Sequence, residues 1–399
     1  MIDSFQERSL IRSINTGLII FLLCFMINYN LGEFRYYFAL PLLFLVWFLF
    51  VIENSLRLDK YITRAFFVSI FVCILLGVPS LFGVSPHKAN LNYTYTNYIM
   101  SIIFKLFAAY TVIVLTFKWQ IYKEVLDKVL FLNITVFYFQ FFLVYATGYY
   151  PDFLEPITGE PQRYNSLFSI PILGNIYRPT GLYEEPSTYS SIILVLVACR
   201  FFINPKVDKI IILSVISTVL SLSVASIIYG TILGGYLLIK SRNTYYKYLP
   251  FLMAPLFISA LGYLAFLRLG TVGNATELRN NLTSVVFEQN NIEILFGNGM
   301  MGTVNSLAQF VIDGNLWKAG VVTLNDNGLW LFIIIKFGLV GLLVMSQFFL
   351  KRLGNQLNIL LFLIILVSKV SFLYFIFIFY FCTVYFLSSH NSKNNVNPS

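Results

Sequence analysis

The sequence predicts an all-α integral membrane protein, a single polytopic domain of about twelve transmembrane helices with two long extracytoplasmic loops. Three observations carry that prediction. The chain of 399 residues is 58% hydrophobic and only 11% charged, with a mean hydropathy of +0.77, whereas soluble domains carry roughly a quarter charged residues. Apolar runs of spanning length recur from end to end. Lysine and arginine collect in alternate connections, as the positive-inside bias requires.

A span needs about 20 mostly apolar residues. The runs are 14–30, 36–53, 64–85, 98–117, 129–147 and 187–204, then 208–222, 225–240, 249–266, 327–350, 356–369 and 371–388. The last two read equally well as one long, broken segment. The turn Ser221-Leu-Ser-Val-Ala-Ser226 is short and polar enough for a re-entrant pair. The run from about Gly17 has no small-residue cleavage site and reads as a first anchor. With the N-terminus in the cytoplasm, every inside connection is basic, from Arg8 and Arg12 through Lys118, Lys123 and Lys128 to Lys351 and Arg352. The outside segments hold only Arg35, Lys88, Arg163, Arg178, Arg268, Arg279 and Lys318. Both termini are then cytoplasmic.

Two outside loops are long, at 148–186 and 267–326, and connections of that length are usually functional. Pro151, Pro156, Pro161, Pro171 and Pro179 give the first an ordered but irregular character. Apolar patches at Val285-Val-Phe287 and Leu307–Ile312 predict short helices over the bundle in the second. The Asn/Ser-rich tail, 390–399, is expected to be disordered.

Several functions are excluded at this level. The net charge of +9 follows membrane topology, so nucleic acid is no partner. Cys24, Cys73, Cys199 and Cys382 all lie in apolar runs without CxxC spacing, as small core hydrophobes do. The two histidines, His87 and His390, are too sparse for a zinc site. No metal or cofactor is expected, and no nucleotide-binding or acid-pair motif appears.

The segment Arg178-Pro-Thr-Gly-Leu-Tyr-Glu-Glu-Pro-Ser187 interrupts this apolar background. Pro186 suits the first turn of the following helix. Glu184 and Glu185 then face the positive end of its dipole, one short loop from Arg178. A capped helix entry with a surface ion pair accounts for the segment as well as a functional site does. An outer-face transferase without nucleotide donors needs a substrate carrying its own leaving group, such as a sugar on a polyprenyl diphosphate. Diphosphate calls for arginine forks, and the attacking hydroxyl for a carboxylate. The outer loops supply Arg163, Arg178, Arg268 and Arg279 beside Glu184, Glu185, Glu277 and Asp326. Tyr149, Tyr150, Tyr164, Tyr177, Tyr183 and Trp317 are available for sugar stacking, although interfacial preference explains them equally. Lys105, Lys336 and Lys369 fall inside apolar runs, where charge is costly and suggests function; Lys105 and Lys336 fit a cavity under the outer loops and equally fit snorkelling or local pairing. No Asp or Glu lies mid-span, which counts against a proton-coupled carrier.

The Arg178–Ser187 segment resembles the Arg-x-x-Gly-x-x-x-Glu-Pro signature of Wzy-type O-antigen and capsular polysaccharide polymerases. Leu295-Phe-Gly-Asn-Gly299 is similar to that family's Phe-Gly-x-Gly turn. Asp326-Asn-Gly-Leu-Trp-Leu-Phe-Ile-Ile-Ile-Lys-Phe-Gly-Leu-Val-Gly341 resembles its loop-to-helix segment. The resemblance covers most of the chain. It departs from the family at Asp326-Asn327, where many relatives carry His-Asn, and at Lys336, where an acid is often found.

The resemblance implies a GT-C-like bundle in the cytoplasmic (inner) membrane and a glycosyltransferase needing no metal or cofactor. Its substrates would be undecaprenyl-diphosphate-linked glycans, with membrane lipid around it and a flippase and chain-length regulator as pathway partners. Arg178 with Arg268 or Arg279 would hold diphosphate, joined in the binding set by Arg163 and Asn327. Glu185 would orient or deprotonate the acceptor hydroxyl, with Glu184 and Asp326 as the other catalytic candidates. Two rivals stand beside it: an O-antigen ligase, disfavoured by the missing loop histidine, and a lipid-linked oligosaccharide flippase or other transporter. A transporter predicts charge along a central path and short loops on both sides.

Overall fold

In hydrocarbon, the backbone must satisfy its own polar groups, and a single apolar run does so as a helix. The computed structural model describes residues 2–32, 34–53, 59–78, 95–163, 169–170, 174–239, 283–300, 302, 304 and 328–394. Over these the chain is almost entirely helical. The first half contains α1 (Ile2–Ile27), a 3-10 turn (Tyr29–Leu31), α2 (Phe34–Glu53), α3 (Lys60–Gly77), α4 (Tyr95–Lys118), α5 (Tyr122–Thr147) and the single turn α6 (Glu155–Thr158). The second contains α7 (Pro186–Ile203), α8 (Lys209–Leu220), α9 (Val224–Ile239), α10 (Asn291–Phe296), α11 (Leu329–Leu353), α12 (Gln356–Val367) and α13 (Phe375–Asn394). Ser169–Ile170 (β1) and Gly174–Asn175 (β2) make a minimal antiparallel pair in the loop before α7.

Six described helices are long and apolar enough to cross a membrane, namely α2, α3, α4, α5, α7 and α11, and five shorter apolar helices accompany them. Each apolar run read from the sequence coincides with a helix, except 249–266, which lies outside the described residues with most of the 267–326 loop. The spans are not uniform. The 12-residue α8 covers only about 18 Å at 1.5 Å per residue, well short of a hydrocarbon core of about 30 Å. α8 and α9 fold back on each other through Ser221–Ser223, where Leu222 takes φ +54°. Gly230 of α9 admits this closeness, because a Cβ there would run into Val219 and Thr218 of α8. α13 continues to Asn394, into the tail that composition marks as disordered, since propagating an existing helix costs little.

α7 is the centre of the bundle. An 18-residue stretch of it is 83% buried, against 22% for α2 at the periphery. At the far end of α7, the wholly buried Arg200 pairs with Asp127 (3.1 Å) and with Asp208, the N-cap of α8. That end also gathers Lys118, Lys123, Lys351 and Arg352, at or near the helix termini. The opposite end carries the loop before α7, the 3-10 turn and the break between α12 and α13.

Two sequence motifs meet in one structural unit. α11 is broken at Gly338 (φ +68°, ψ −173°), which frees carbonyls that lipid cannot satisfy. The turn after α10 fills the break. Asn298 donates both its backbone N–H and its side-chain amide to Ile335 O, each at 3.0 Å, and Gly299 N–H donates to Lys336 O at 2.9 Å. Gly297 and Gly338 lie backbone to backbone across this contact, and a Cβ on either would collide with the other segment. The buried Lys336 ammonium closes the turn by donating to Gly302 O.

Candidate active site

The loop entering α7 is arranged around two buried glutamines. Gln140, on α5, accepts the N–H groups of Thr180 (2.9 Å) and Gly181 (2.8 Å), and donates to Pro151 O (2.9 Å) and Gln162 Oε1 (3.0 Å). Gln162 in turn donates to the carbonyls of Gly181 (2.8 Å) and Tyr183 (3.1 Å). Gly181 takes φ +60°, a left-handed conformation in which other residues are strained. A Cβ there would also lie 3.4 Å from the Tyr189 ring. The glycine of the Arg178–Ser187 segment is therefore required by the turn itself. Tyr183 is buried and donates to Asn133 Oδ1 at 2.8 Å, so it packs inside rather than facing a ligand. Tyr150 is likewise buried, against Thr180, while Tyr149 remains exposed. Tyr164 and Trp317 lie outside the described residues.

This scaffold fixes the two carboxylates. Glu185 is the N-cap of α7, with extended φ/ψ of −131° and 149° and Pro186 at N1. Its carbonyl accepts the N–H of Tyr189 at 3.0 Å, but its side chain does not cap the helix. It points instead toward three donors: Arg163 Nη1 at 2.6 Å, Lys369 Nζ at 2.6 Å and Ser187 Oγ at 3.1 Å. Glu184 pairs with Arg163 Nη2 at 2.7 Å and accepts from Asn30 Nδ2 at 3.0 Å. Asn30 belongs to the 3-10 turn, whose neighbour Asn28 donates to Leu182 O at 2.9 Å. Residues from the α1–α2 junction, the loop, α7 and the α12–α13 break thus converge on one pair of acids.

Their electrostatics differ. Burial alone would push the Glu185 carboxyl up, but Lys369 and Arg163 outweigh it and hold it at about 2. Burial dominates at Glu184 and raises it, against partial relief from Arg163 and with Glu185 adding to the rise. Two adjacent glutamates are therefore set apart, one fixed as an anion and one a better proton acceptor. Both are accessible, with 23% and 18% of their side-chain surface exposed.

Of the residues singled out in the sequence, Arg163, Glu184 and Glu185 come together. Arg178 lies in the same loop and is half-buried, but the cations on the two acids are Arg163 and Lys369. Arg268, Arg279, Asp326 and Asn327 lie outside the described residues. Lys369 is the partner that sequence reading did not place here. Its signal was local: Ser368-Lys-Val-Ser371 is a polar break between two apolar runs, and chain periodicity cannot tell which loop such a break faces. Asn30, Gln140 and Gln162 carried no comparable signal. Among the described residues, no group of three or more His, Cys, Asp and Glu side chains could hold a metal.

No family model matches this chain, and no curated protein or solved structure does either. The site must be read from its own residues.

Proposed function

We propose that this protein is a lipid-linked oligosaccharide repeat-unit polymerase. In this reading it is a glycosyltransferase of the cytoplasmic membrane that joins undecaprenyl-diphosphate-linked units on the outer face, for an O-antigen or another surface polysaccharide. The observation that carries the proposal is the Arg163–Glu184–Glu185–Lys369 cluster at the N-terminus of α7. It lies at the end of the bundle remote from Lys118, Lys123, Lys351 and Arg352, which positive-inside bias assigns to the cytoplasm. The two termini are cytoplasmic on the same grounds.

Each residue has a role set by its surroundings. Glu185, fixed as an anion, orients the acceptor hydroxyl by accepting its hydrogen bond. Glu184, the more basic of the two, takes the proton as the hydroxyl oxygen bonds to the anomeric carbon. The bond from that carbon to the diphosphate oxygen breaks, and the lipid diphosphate leaves with the electron pair. Arg178, Arg268 and Arg279 are the loop arginines suited to the leaving group, and Asp326 and Asn327 the remaining polar candidates. Positioning supplies much of the rate in such a transfer.

The test is surface polysaccharide from a deletion strain, separated on a silver-stained gel and complemented with wild type, Glu185→Ala or Arg178→Ala. Core carrying a single repeat unit, with no ladder restored by either variant at normal membrane levels, supports polymerisation. Bare core with lipid-linked polymer at the outer face identifies a ligase. Single lipid-linked units held inside identify a flippase, and the proposal fails.

A further inference from the structure

Glu184 and Glu185 share Arg163, whose two Nη atoms reach one carboxylate each, at 2.7 and 2.6 Å. Their second partners differ in charge. Glu185 Oε2 accepts from the Lys369 ammonium at 2.6 Å, whereas Glu184 Oε2 accepts from the neutral amide of Asn30 at 3.0 Å. Asn30 also grips the same residue a second time, because its Oδ1 accepts the Glu184 backbone N–H at 3.3 Å. One amide thus spans the main chain and the carboxylate of Glu184.

The amide is itself held by its turn. Gly32 closes the 3-10 turn by donating its N–H to Tyr29 O at 3.1 Å. Tyr29 Oη shares a hydrogen bond with Thr188 Oγ1 at 2.9 Å, one turn along α7 from Glu185. The Tyr29 ring stacks on Tyr374, which follows Lys369 in the α12–α13 break, with centroids 4.1 Å apart. Asn28 donates to Leu182 O at 2.9 Å. Asn28, Tyr29 and Asn30 therefore dock the α1–α2 junction onto the loop, α7 and the α12–α13 break together. A carboxylate between two cations is held as an anion, while one with a single cation and a neutral donor keeps more affinity for a proton. The other charged groups acting on Glu184 are Glu185 and Glu160, which oppose its ionisation, and Lys369, which favours it. Tyr29 is the titratable neighbour from the 3-10 turn.

We propose that Asn30 is a positioning residue: it fixes Glu184 through a neutral donor, and so makes Glu184 rather than Glu185 the carboxylate that takes the hydroxyl proton. The proton transfer rests on the reaction proposed above, whereas the hold of Asn30 on Glu184 rests on the two hydrogen bonds. The α1–α2 junction is then part of the site, acting through Glu184, and the contrast between Asn30 and Lys369 divides the work of two adjacent acids.

The experiment follows the protonation of Glu184 in the purified full-length protein in nanodiscs, by its infrared carboxyl band with isotope-labelled glutamate. The band is assigned as the one lost in Glu184→Gln, and the measurement requires no turnover. Asn30→Ala removes the donor and should move the midpoint up by about one pH unit, a tenfold gain in proton affinity. The isosteric Asn30→Asp should move it up at least as far, and it keeps the test open where alanine unfolds the turn. Asn30→Lys should move it down by about one unit. In transfer assays, Asn30→Ala should lower kcat about tenfold or more at unchanged KM, and the acid limb should follow the Glu184 midpoint in each variant. A Glu184 midpoint that stays in place in Asn30→Ala and Asn30→Asp overturns the hold. A displaced midpoint with kcat and acid limb unchanged overturns the positioning role. Displaced midpoints in a protein whose deletion leaves polymerisation intact would keep the hold of Asn30 on Glu184 and remove the polymerase assignment.

Discussion

Lys369 and Glu185 are 184 positions apart in the chain, yet the ammonium nitrogen lies 2.6 Å from a carboxylate oxygen. The contact ties the break between α12 and α13 to the N-terminus of α7. Both side chains are largely buried, at 16% and 18% exposed, so the pair is shielded from most of the screening that weakens surface bridges. Lys369→Met should abolish polymer formation and lower stability by about 2 kcal/mol, within the range for hydrogen bonds to charged groups. Lys369→Arg should retain most of both. A normal polysaccharide ladder from Lys369→Met would remove the cluster from the mechanism.

Glu184 and Glu185 are shifted in opposite directions, and that predicts the pH dependence. Glu185 lies below its ordinary 4.5, at about 2. Its stabilising contribution is therefore complete above pH 4.5 and is lost as pH falls toward 2. Glu184 is raised, so it protonates first on acidification, and that step relieves a burial cost rather than adding one. Transfer by reconstituted protein should decline on the acid side as Glu184 titrates, while the fold persists. Glu184→Gln should lower the plateau and erase that acid limb. Survival of the limb in Glu184→Gln would assign it to another group.

Gly338 and Gly299 make a paired test of the broken helix. Both have positive φ, +68° and +78°, so alanine at either carries strain of about 1–2 kcal/mol. At Gly299 the added methyl meets nothing within 4 Å, whereas at Gly338 it collides with the Leu295 carbonyl. Gly338→Ala should therefore undock the 295–302 turn and expose it to protease, with a clearly larger fall in melting temperature. Equal effects at the two positions would mean that the turn is not seated on the break.

The helices were legible because apolar runs and charge alternation are properties of single segments. Even the break near Lys369 left a mark, as two serines and a lysine among isoleucines and phenylalanines. What remained hidden was pairing across the bundle. Arg178 stood out by its place in a motif, but the arginine on the two acids is Arg163, from the far side of the same loop. Lys336 read as either a cavity charge or a locally paired one, and the fold shows the local partner, the Gly302 carbonyl. Asn298 and Gly338 belonged to two separate motifs, and only the fold shows that one supplies the hydrogen bonds the other lacks.

Gln140 connects that hidden layer to the site. It is fully buried, and its one side chain holds Thr180, Gly181, Pro151 and Gln162 together. Replacing it with leucine keeps the approximate volume but leaves two buried N–H groups and a carbonyl without their partner, each costing about 1–3 kcal/mol if water cannot enter. The cheapest relaxation is for the loop to lift away, since α5 and α7 remain packed without it. Lifting the loop carries Glu184 and Glu185 off Lys369 and Asn30. Gln140→Leu should therefore give normal membrane levels and helical content but no polymer, and should lose most of the Lys369 contribution to stability. In a double-mutant cycle, adding Lys369→Met to Gln140→Leu should then cost much less than Lys369→Met alone. Full additivity of the two substitutions would show that α7 alone positions the acids.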